Sequence, residues 1–431
     1  MNKKAVAWLY EQLPELVEKG IIPGGSIELI QNHFGPVDKK FSSRTALTLF
    51  GLIGAVLIGL GIILIFAHNW EQLDKMARTV IAVGILLLGQ SVAGIALWFK
   101  KDTAAWTESA SAFLMVTIGA SIAIIGQTYH IADDFSNYIL IWMLVSIPVV
   151  YIMDVKTPAL LYLIGVTIWV VTKETSDIDK QFIWILLAFL GPYYRKLVKI
   201  DAYANPIVLF SWIFIVCFYI AFGMAFGTYM TQLSFFIDAN LVAITYFIGV
   251  LWFNETAKIW QMPFKVIGLI GCIGLSFLLT FQDIWLSLKV DYSSLGKMEI
   301  VLALLLLAIT VFLGNKLVNR NQSRHLFLSA APVIAGIGFL LLLLDDSGIN
   351  AILLCNAYVL SLSVYFILRG IREGAIGTLN IGMLLVSALI IMRFLDANFS
   401  FVTRGLLFVV LGSSFLAANW IMVRRKKEVT K

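Results

Sequence analysis

The chain has 431 residues, of which 60% are hydrophobic and only 13% are charged. Soluble domains carry roughly 45–50% apolar and about 25% charged residues, so the composition excludes a soluble globular protein. The net charge of +6 lies in short segments between apolar runs, which favours contact with anionic lipids and argues against nucleic-acid binding.

Residues 1–44 precede the first apolar run and have the pattern of a cytoplasmic helical hairpin. Apolar residues recur at helical spacing up to Leu16, and Gly20 ends the pattern. Pro14 falls within it, where a proline kinks or splits a helix. A second short helix begins at Ser26. Because so small a hairpin is not stable alone, both docking on the bundle or bilayer and binding of a partner stay open.

About fourteen apolar runs follow, and the basic residues are sorted among the gaps between them. Every second gap, together with the two chain ends, holds 24 of the 32 Lys and Arg residues. Short basic loops of membrane proteins stay in the cytoplasm. The sorting therefore predicts an all-α, polytopic transmembrane bundle with both termini in the cytoplasm and the sparsely charged gaps outside.

The bundle is predicted over residues 45–423, followed by a basic cytoplasmic tail over 424–431. A span needs about 20 apolar residues, so fourteen spans leave no room for a large soluble domain. The runs 157–172 and 181–194 are short and are either full spans or one re-entrant pair. The predicted spans are 45–67, 77–99, 106–127, 137–153, 157–172, 181–194, 205–227, 233–253, 264–282, 298–314, 326–344, 349–369, 375–394 and 402–423.

Polar residues within spans are costly and often functional. Glu108 lies near the inner start of the third span, and Asp238 lies near the outer end of the eighth. Asp283 and Glu299 are expected at outer edges that water reaches. The third span also carries a stripe of hydroxyl side chains, which favours either helix packing or one wall of a polar pathway with Glu108 at its inner end. The stripe consists of Thr107, Ser111, Thr117, Ser121 and Thr128.

Two outer segments contain side chains that could meet a ligand. His130 and Asp134 are one helical turn apart, so they can share a cation or a proton if the helix of the third span continues. No second His motif accompanies them, and no metal site is predicted. Arg393 and Asp396 can pair on one helix face. That pair, followed by Arg404, either satisfies charges near the lipid boundary or binds a polar or anionic ligand.

Other chemistry leaves little trace in the sequence. The three cysteines lie in apolar runs and form no disulfide, metal or haem motif. There is no P-loop, dinucleotide-binding glycine pattern, zinc-protease motif or nucleophile elbow. The sequence therefore predicts no cofactor and assigns no catalytic residue. Gly268, Gly271 and Gly274, at three-residue spacing in the ninth span, are typical of close helix packing in lipid.

Four short motifs occur along the chain in an order that matches a known family. They are "EKGII" in the hairpin, "AHNWEQL" after the first span, "GQTYHIADDF" after the third, and the closing "RFLDANFSFVTRGLLFVVLG". In these motifs the chain resembles the bacterial predicted membrane proteins called domain of unknown function 2157. The resemblance implies a protein of the bacterial cytoplasmic membrane and implies no activity. The positions that it suggests for testing are Asn69, Trp70, Gln127, Tyr129, His130, Arg393, Asp396 and Arg404.

Three functions are compatible with these features. Many spans with small loops favour a bundle that encloses something, so the first prediction is a transporter-like protein for a small polar or lipid-linked solute. The second is a non-transporting sensor or assembly partner that acts through the hairpin. The third, a membrane-embedded enzyme, would use His130 with a nearby carboxylate at the outer face.

Overall fold

The structure is a computed structural model in which the chain divides into two compact units, Met1–Ile81 and Ala82–Lys431. The predicted span 45–67 lies outside the described residues, and the predicted span 402–423 lies almost wholly outside them. The described residues are 3–34, 73–131, 134–173, 177–253, 258–288, 295–344 and 347–396, with isolated positions between 405 and 416.

The first unit contains the predicted N-terminal hairpin. Helix α1 (Lys3–Glu18) continues through Pro14 without splitting, and α2 comprises Ser26–Phe34. Gly20 has a φ of 68°, a left-handed conformation that glycine adopts readily at the end of a helix. The adjacent Ile21 N–H donates to the carbonyl of Leu16 (2.9 Å), which closes the end of α1.

The rest of the described chain is helical and contains no strand in those residues. The boundary between the two units falls within α3. The remaining α-helices are α3 (Lys75–Phe99), α4 (Ala104–Tyr129), α5 (Phe135–Met153), α6 (Lys156–Thr172), α7 (Asp177–Lys180), α8 (Ile183–Asp201), α9 (Asn205–Phe226), α10 (Ser234–Trp252), α11 (Pro263–Leu278), α12 (Gln282–Ser287), α13 (Lys297–Asn319), α14 (Arg324–Leu328), α15 (Ala331–Leu344), α16 (Ile349–Glu373) and α17 (Ile376–Asp396).

Eight helices of the described chain are long and apolar enough to cross a membrane, namely α3, α4, α5, α9, α10, α13, α16 and α17. Helices α6, α11 and α15 are apolar and shorter. The predicted helical membrane bundle is therefore confirmed. Of the two short runs, 157–172 forms the unbroken helix α6, and 181–194 forms part of α8, which extends to Asp201.

The apolar interior of the second unit forms two clusters. Residues of α3–α9 make the first, in which α6 packs against α4, α5, α8 and α9 and buries Leu163 and Val166 completely. Residues of α9–α17 make the second, in which α10 packs against α11, α13 and α15. Each cluster thus surrounds one central helix, α6 or α10.

The glycine pattern predicted a close helix contact, and the structure has one between α10 and α11. A Cβ on Gly268 would lie 2.3 Å from the backbone nitrogen of Tyr246, and one on Gly271 would lie 2.7 Å from Cγ1 of Val242. A Cβ on Gly274 would meet nothing within 4 Å. Two of the three glycines therefore let the helices approach, as small residues do in lipid.

A carboxylate from one helix holds the N-terminus of another in the first cluster. The oxygens of Glu108, on α4, accept hydrogen bonds from the backbone N–H groups of Lys156 (3.2 Å) and Thr157 (2.8 Å). These are the first two residues of α6. Negative charge at a helix N-terminus stabilises the helix because it satisfies donors that have no partner within it. Glu108 is thus engaged in joining α4 to α6.

Glu299 does the same in the second cluster, and its predicted contact with water is wrong. The side chain is fully buried. It accepts hydrogen bonds from the backbone N–H groups of Thr231 (2.8 Å) and Leu233 (2.7 Å), and from the Thr231 hydroxyl (2.8 Å). Leu233 directly precedes α10. The carboxylate leaves water because three donors replace its hydration.

Contacts between the connecting segments agree with the sorting of charge. Lys196, in the C-terminal part of α8, forms a 2.6 Å ion pair with Asp154. The Gln261 amide donates to the carbonyl of Tyr203 (3.1 Å). Each of these contacts joins segments that the basic residues place on one side. The bonds of Glu299 likewise join two sparsely charged segments. The helices between these contacts therefore return in pairs to the same end of the bundle.

Replacing Gly268 by alanine should destabilise the protein, because the new methyl group must displace the backbone of α10. We expect a loss of about 1–3 kcal/mol in the free energy of unfolding, the usual cost of overpacking. Thermal unfolding of purified protein in detergent measures the change. The matched control is Gly274→Ala, which should leave stability equal or slightly higher. Equal thermal midpoints for the two variants would contradict the contact.

Replacing Glu299 by alanine should cost about 2–4 kcal/mol, since two backbone N–H groups near α10 and the Thr231 hydroxyl lose a charged acceptor. The matched control is Asp283→Ala, because Asp283 is also an acidic residue at a predicted outer edge but is exposed. We expect its thermal midpoint in detergent to stay close to that of the parent protein. A small effect of Glu299→Ala would show that the buried carboxylate does not hold the helix end.

Candidate functional site

The outer end of α4 is closed by a left-handed residue. His130 has a φ of 50°, and its N–H donates to the carbonyl of Gly126. The N–H of Ile131 donates to the same carbonyl (3.1 Å). Such a pair of bonds ends a helix. The condition that the helix continue through His130 to Asp134 is therefore not met, and the two side chains do not share a helix face.

Asp134 instead begins the next helix. One carboxylate oxygen accepts a hydrogen bond from the backbone N–H of Ser136 (2.8 Å), and the other accepts from the Ser136 hydroxyl (3.1 Å). This is the usual geometry of an N-cap. These hydrogen bonds, with a smaller contribution from Lys173, lower the pKa of the Asp134 carboxyl below its ordinary value. The carboxylate is thus ionised at neutral pH.

A cavity of about 790 Å³ lies between α3, α4 and α5. Its volume falls within the roughly 300–1,000 Å³ of small-molecule sites. Most of its wall is apolar, and Gln127 and Asp134 lie at the end where α4 stops and α5 starts. The residues that line it are Ala82, Val83, Leu86, Ser121, Ile122, Ala123, Ile125, Gly126, Gln127, Ile131, Asp134, Phe135, Tyr138 and Ile141.

The polar groups deep in the cavity are occupied by helix contacts. The Ser121 hydroxyl lies 2.8 Å from the carbonyl of Ala82, and the Tyr138 hydroxyl donates to the carbonyl of Gly119 (3.1 Å). Ser121 lies eight residues before the end of α4, which is about 12 Å along the helix. The cavity therefore extends from a polar rim to an apolar interior along about 12 Å of helix, which is most of the roughly 15 Å of hydrocarbon in one leaflet.

The rim contains two polar side chains that can meet a ligand. Gln127 is exposed, and its amide forms no hydrogen bond with the described residues. The Asp134 carboxylate has lone pairs beyond the two that Ser136 uses. Gln127 and Asp134 are the two predicted site residues that the structure brings to this cavity. Tyr129 and His130 are exposed at the end of α4 and do not line it.

The hydroxyl stripe of α4 is a packing face. All five of its side chains are buried. Thr117 packs where α3 has Gly89, so closely that a Cβ there would lie 2.0 Å from the threonine oxygen. The hydroxyls also donate to carbonyls of their own helix, as Thr117 does to Leu114 (2.9 Å). Of the five stripe residues, Ser121 lines the cavity. Glu108, predicted at the inner end of a polar pathway along the stripe, instead bonds to the start of α6.

Of the predicted residues of the closing motif, the structure describes the side chain of Arg393, which does not line the cavity. The Arg393 guanidinium donates to the Thr280 hydroxyl (3.2 Å) and lies 5.2 Å from the ring centre of Phe281. It therefore joins α17 to the end of α11. The side chain of Asp396 lies outside the part of the chain that the structure describes, so the predicted pair stays a prediction. Asn69, Trp70 and Arg404 also lie outside the described residues.

Asp238 is half-buried within α10 and does not line the cavity. Its carboxylate forms no hydrogen bond with the described residues. The nearby Tyr219 hydroxyl pairs with Thr245 at 2.9 Å. As a predicted intramembrane charge, Asp238 thus occupies the second cluster of helices, whereas the cavity belongs to the first.

One buried polar pair was missed from the sequence. His325 in α14 is 3% exposed, and its Nδ1 lies 2.7 Å from the hydroxyl of Tyr246, which is fully buried. The Nε of Arg324 donates to Nε2 of the same ring (3.3 Å). In the sequence, His325 ends a basic gap. The available signal was the apolar stretch that follows it, since a helix of those residues faces the core.

Comparisons with known proteins bear on part of the chain. No curated protein and no solved structure matches it. One family model, described as a predicted membrane protein (DUF2157), matches residues 14–159, roughly a third of the sequence. The described residues that line the cavity all lie within that stretch. The resemblance seen in the first three short motifs is thereby confirmed, since all three lie within residues 14–159, the stretch in which the chain is similar to the predicted membrane proteins of this family.

Proposed function

We propose that this protein is a transporter-like protein of the bacterial cytoplasmic membrane that takes up a lipid-linked or otherwise amphiphilic solute. The observation that carries the proposal is the cavity between α3, α4 and α5, with an apolar wall and Gln127 and Asp134 at its rim. An acyl or prenyl chain fits the wall, and a polar head group fits the rim.

The wall favours an amphiphile over a small polar solute. A polar solute that enters the cavity loses hydration, which is costly unless new hydrogen bonds replace it. The deep hydroxyls of Ser121 and Tyr138 already contact carbonyls. An apolar chain gains free energy from the same surface, at about 25 cal/mol for each Å² removed from water.

The charge sorting supports an outward position for the cavity. Its rim, at Gln127 and Asp134, lies where α4 ends and α5 begins, and the sequence between these two residues carries no Lys or Arg. The opposite end of α4 follows Lys100 and Lys101. Under the positive-inside rule, the rim faces out and both termini lie in the cytoplasm. The solute would then enter from the outer leaflet.

The two alternatives receive less support. An enzyme that uses His130 needs a carboxylate within hydrogen-bond reach, and Asp134 instead bonds to Ser136. A sensor that acts through the hairpin is compatible with α1 and α2, but no contact within the hairpin favours it over a structural role.

Filling the cavity should stop translocation. Ala123 lines it, and Ala123→Trp adds a large side chain that excludes an acyl chain. We expect proteoliposomes with the parent protein to flip acyl-fluorescent phosphatidylethanolamine faster than empty liposomes. The variant should lose most of that rate. Quenching of outer-leaflet fluorescence by dithionite measures it.

The matched control for this test is Ala105→Trp. Ala105 lies on the same helix, is exposed and is absent from the cavity lining, so its rate should stay close to that of the parent protein. The proposal fails if the parent protein flips the probe no faster than empty liposomes. It also fails if the two tryptophan variants behave alike.

The role of Asp134 as an N-cap can be separated from its charge. Asp134→Asn keeps a side-chain acceptor for α5, whereas Asp134→Ala removes it. At pH 7 we expect the alanine variant to unfold at a lower temperature than the asparagine variant. Because the folded carboxyl has a lowered pKa, its stabilisation is present above the unfolded pKa of about 3.9 and is lost as pH falls through the folded value.

Thermal midpoints between pH 3 and pH 7 test this. The difference between the parent protein and Asp134→Ala should be constant near neutrality and should shrink below about pH 4. A difference that does not change with pH would contradict the capping carboxylate.

A further inference from the structure

We propose that the end of α16, together with α14, binds the phosphate head group of an anionic membrane lipid. This site is independent of the cavity at α4 and does not rest on the proposed transport. It joins two segments, 315–325 and 369–373, that the charge sorting places on the basic side.

The site is a pocket of about 240 Å³. Its lining residues in the described part of the chain include three guanidinium groups and one carboxylate, which have a formal charge of +2. Arg369 and Glu373 form a 2.8 Å ion pair one turn apart, and both remain partly exposed. The lining residues are Arg324, Tyr365, Leu368, Arg369, Arg372 and Glu373.

Guanidinium is the group best suited to phosphate, because its planar fork of N–H donors matches two oxygens at once. Arg369 presents its Nε to Glu373 and also contacts Tyr365, and a guanidinium has five N–H donors, so donors remain for a second anion. The charges of Arg324 and Arg372 come from separate helices. A phosphate between them would therefore be contacted from more than one direction.

Arg324 is oriented by a buried group. Its Nε donates to Nε2 of His325 (3.3 Å). That ring is in turn held by the hydroxyl of Tyr246 (2.7 Å). Because His325 and Tyr246 are both buried, one edge of the guanidinium is fixed against the helix core. A fixed donor loses less side-chain entropy when it binds an anion.

The position of the pocket favours a lipid over a free phosphate. Arg369 and Arg372 occupy the end of α16, a helix that is apolar enough to cross the membrane. Below them on the same helix, Leu368 is 54% exposed and Val364 is 44% exposed. Acyl chains can pack along these side chains while the head group meets the arginines. Basic pockets between transmembrane helices bind anionic head groups in this way.

Native mass spectrometry of the full chain in detergent tests the proposal, with dioleoyl phosphatidylglycerol, dioleoyl phosphatidylcholine and inorganic phosphate as probes. We expect phosphatidylglycerol to bind at least about ten-fold more tightly than phosphatidylcholine.

The double variant Arg324→Gln/Arg372→Gln should weaken the binding of phosphatidylglycerol by about ten-fold or more, since each basic residue contributes about 1 kcal/mol. The matched control is Arg195→Gln, an exposed arginine of α8 on the same predicted side, which should change the affinity less than two-fold or so.

A second variant guards against loss by misfolding. Glu373→Gln removes the carboxylate that competes for Arg369, so it should tighten phosphatidylglycerol by a few-fold, a gain that misfolding does not produce. The proposal is overturned if both pocket variants bind like the parent protein, or if the two lipids bind equally. Competition by millimolar inorganic phosphate as effective as that of the lipid would assign the pocket to a free phosphate and reject the lipid.

Discussion

The structure depends on the requirement that backbone N–H groups in an apolar medium find an acceptor. Helices satisfy this requirement internally except at their ends. Two central helices, α6 and α10, have N-termini that meet a carboxylate from a neighbouring helix, Glu108 in one case and Glu299 in the other. Each carboxylate ties the start of its central helix to a neighbouring helix. The other helices pack around α6 and α10, so these two carboxylates anchor the central helix of each interior cluster.

This constraint explains which features could be read from the sequence. Long apolar runs and sorted basic residues predict a helical membrane bundle because they follow from the free energy of single residues in lipid. The two helices of the hairpin were also predictable, because Gly20 ends the first helix and Ser26 begins the second through bonds to residues within one or two turns. Gly268 and Gly271 were predictable because only small residues allow so close a helix approach.

The remainder depends on partners distant in sequence. Glu299 was expected in water because it starts an apolar run, and its burial is compensated by residues more than sixty positions earlier. The end of α4 at His130 required a left-handed residue that is not glycine, which short-range patterns disfavour. Of the predicted outer residues, Gln127 and Asp134 meet in one cavity because they lie on either side of that turn. His325 was missed because one of its partners, Tyr246, lies on another helix, 79 positions earlier in the sequence. Its other partner, Arg324, is the preceding residue.

The two candidate sites offer a ligand opposite chemistry. At the rim of the α4 cavity, one ionised carboxylate faces an apolar wall, so the free energy of binding must come mainly from burial of a chain. At the end of α16, three arginines face a small space beside exposed apolar side chains, so the free energy must come mainly from the head group. A lipid held at the arginines would be anchored by charge, whereas a solute in the cavity would be held by surface contact and could leave without breaking strong bonds. Weak, burial-driven binding suits a molecule that is moved, and strong charge pairing suits one that stays.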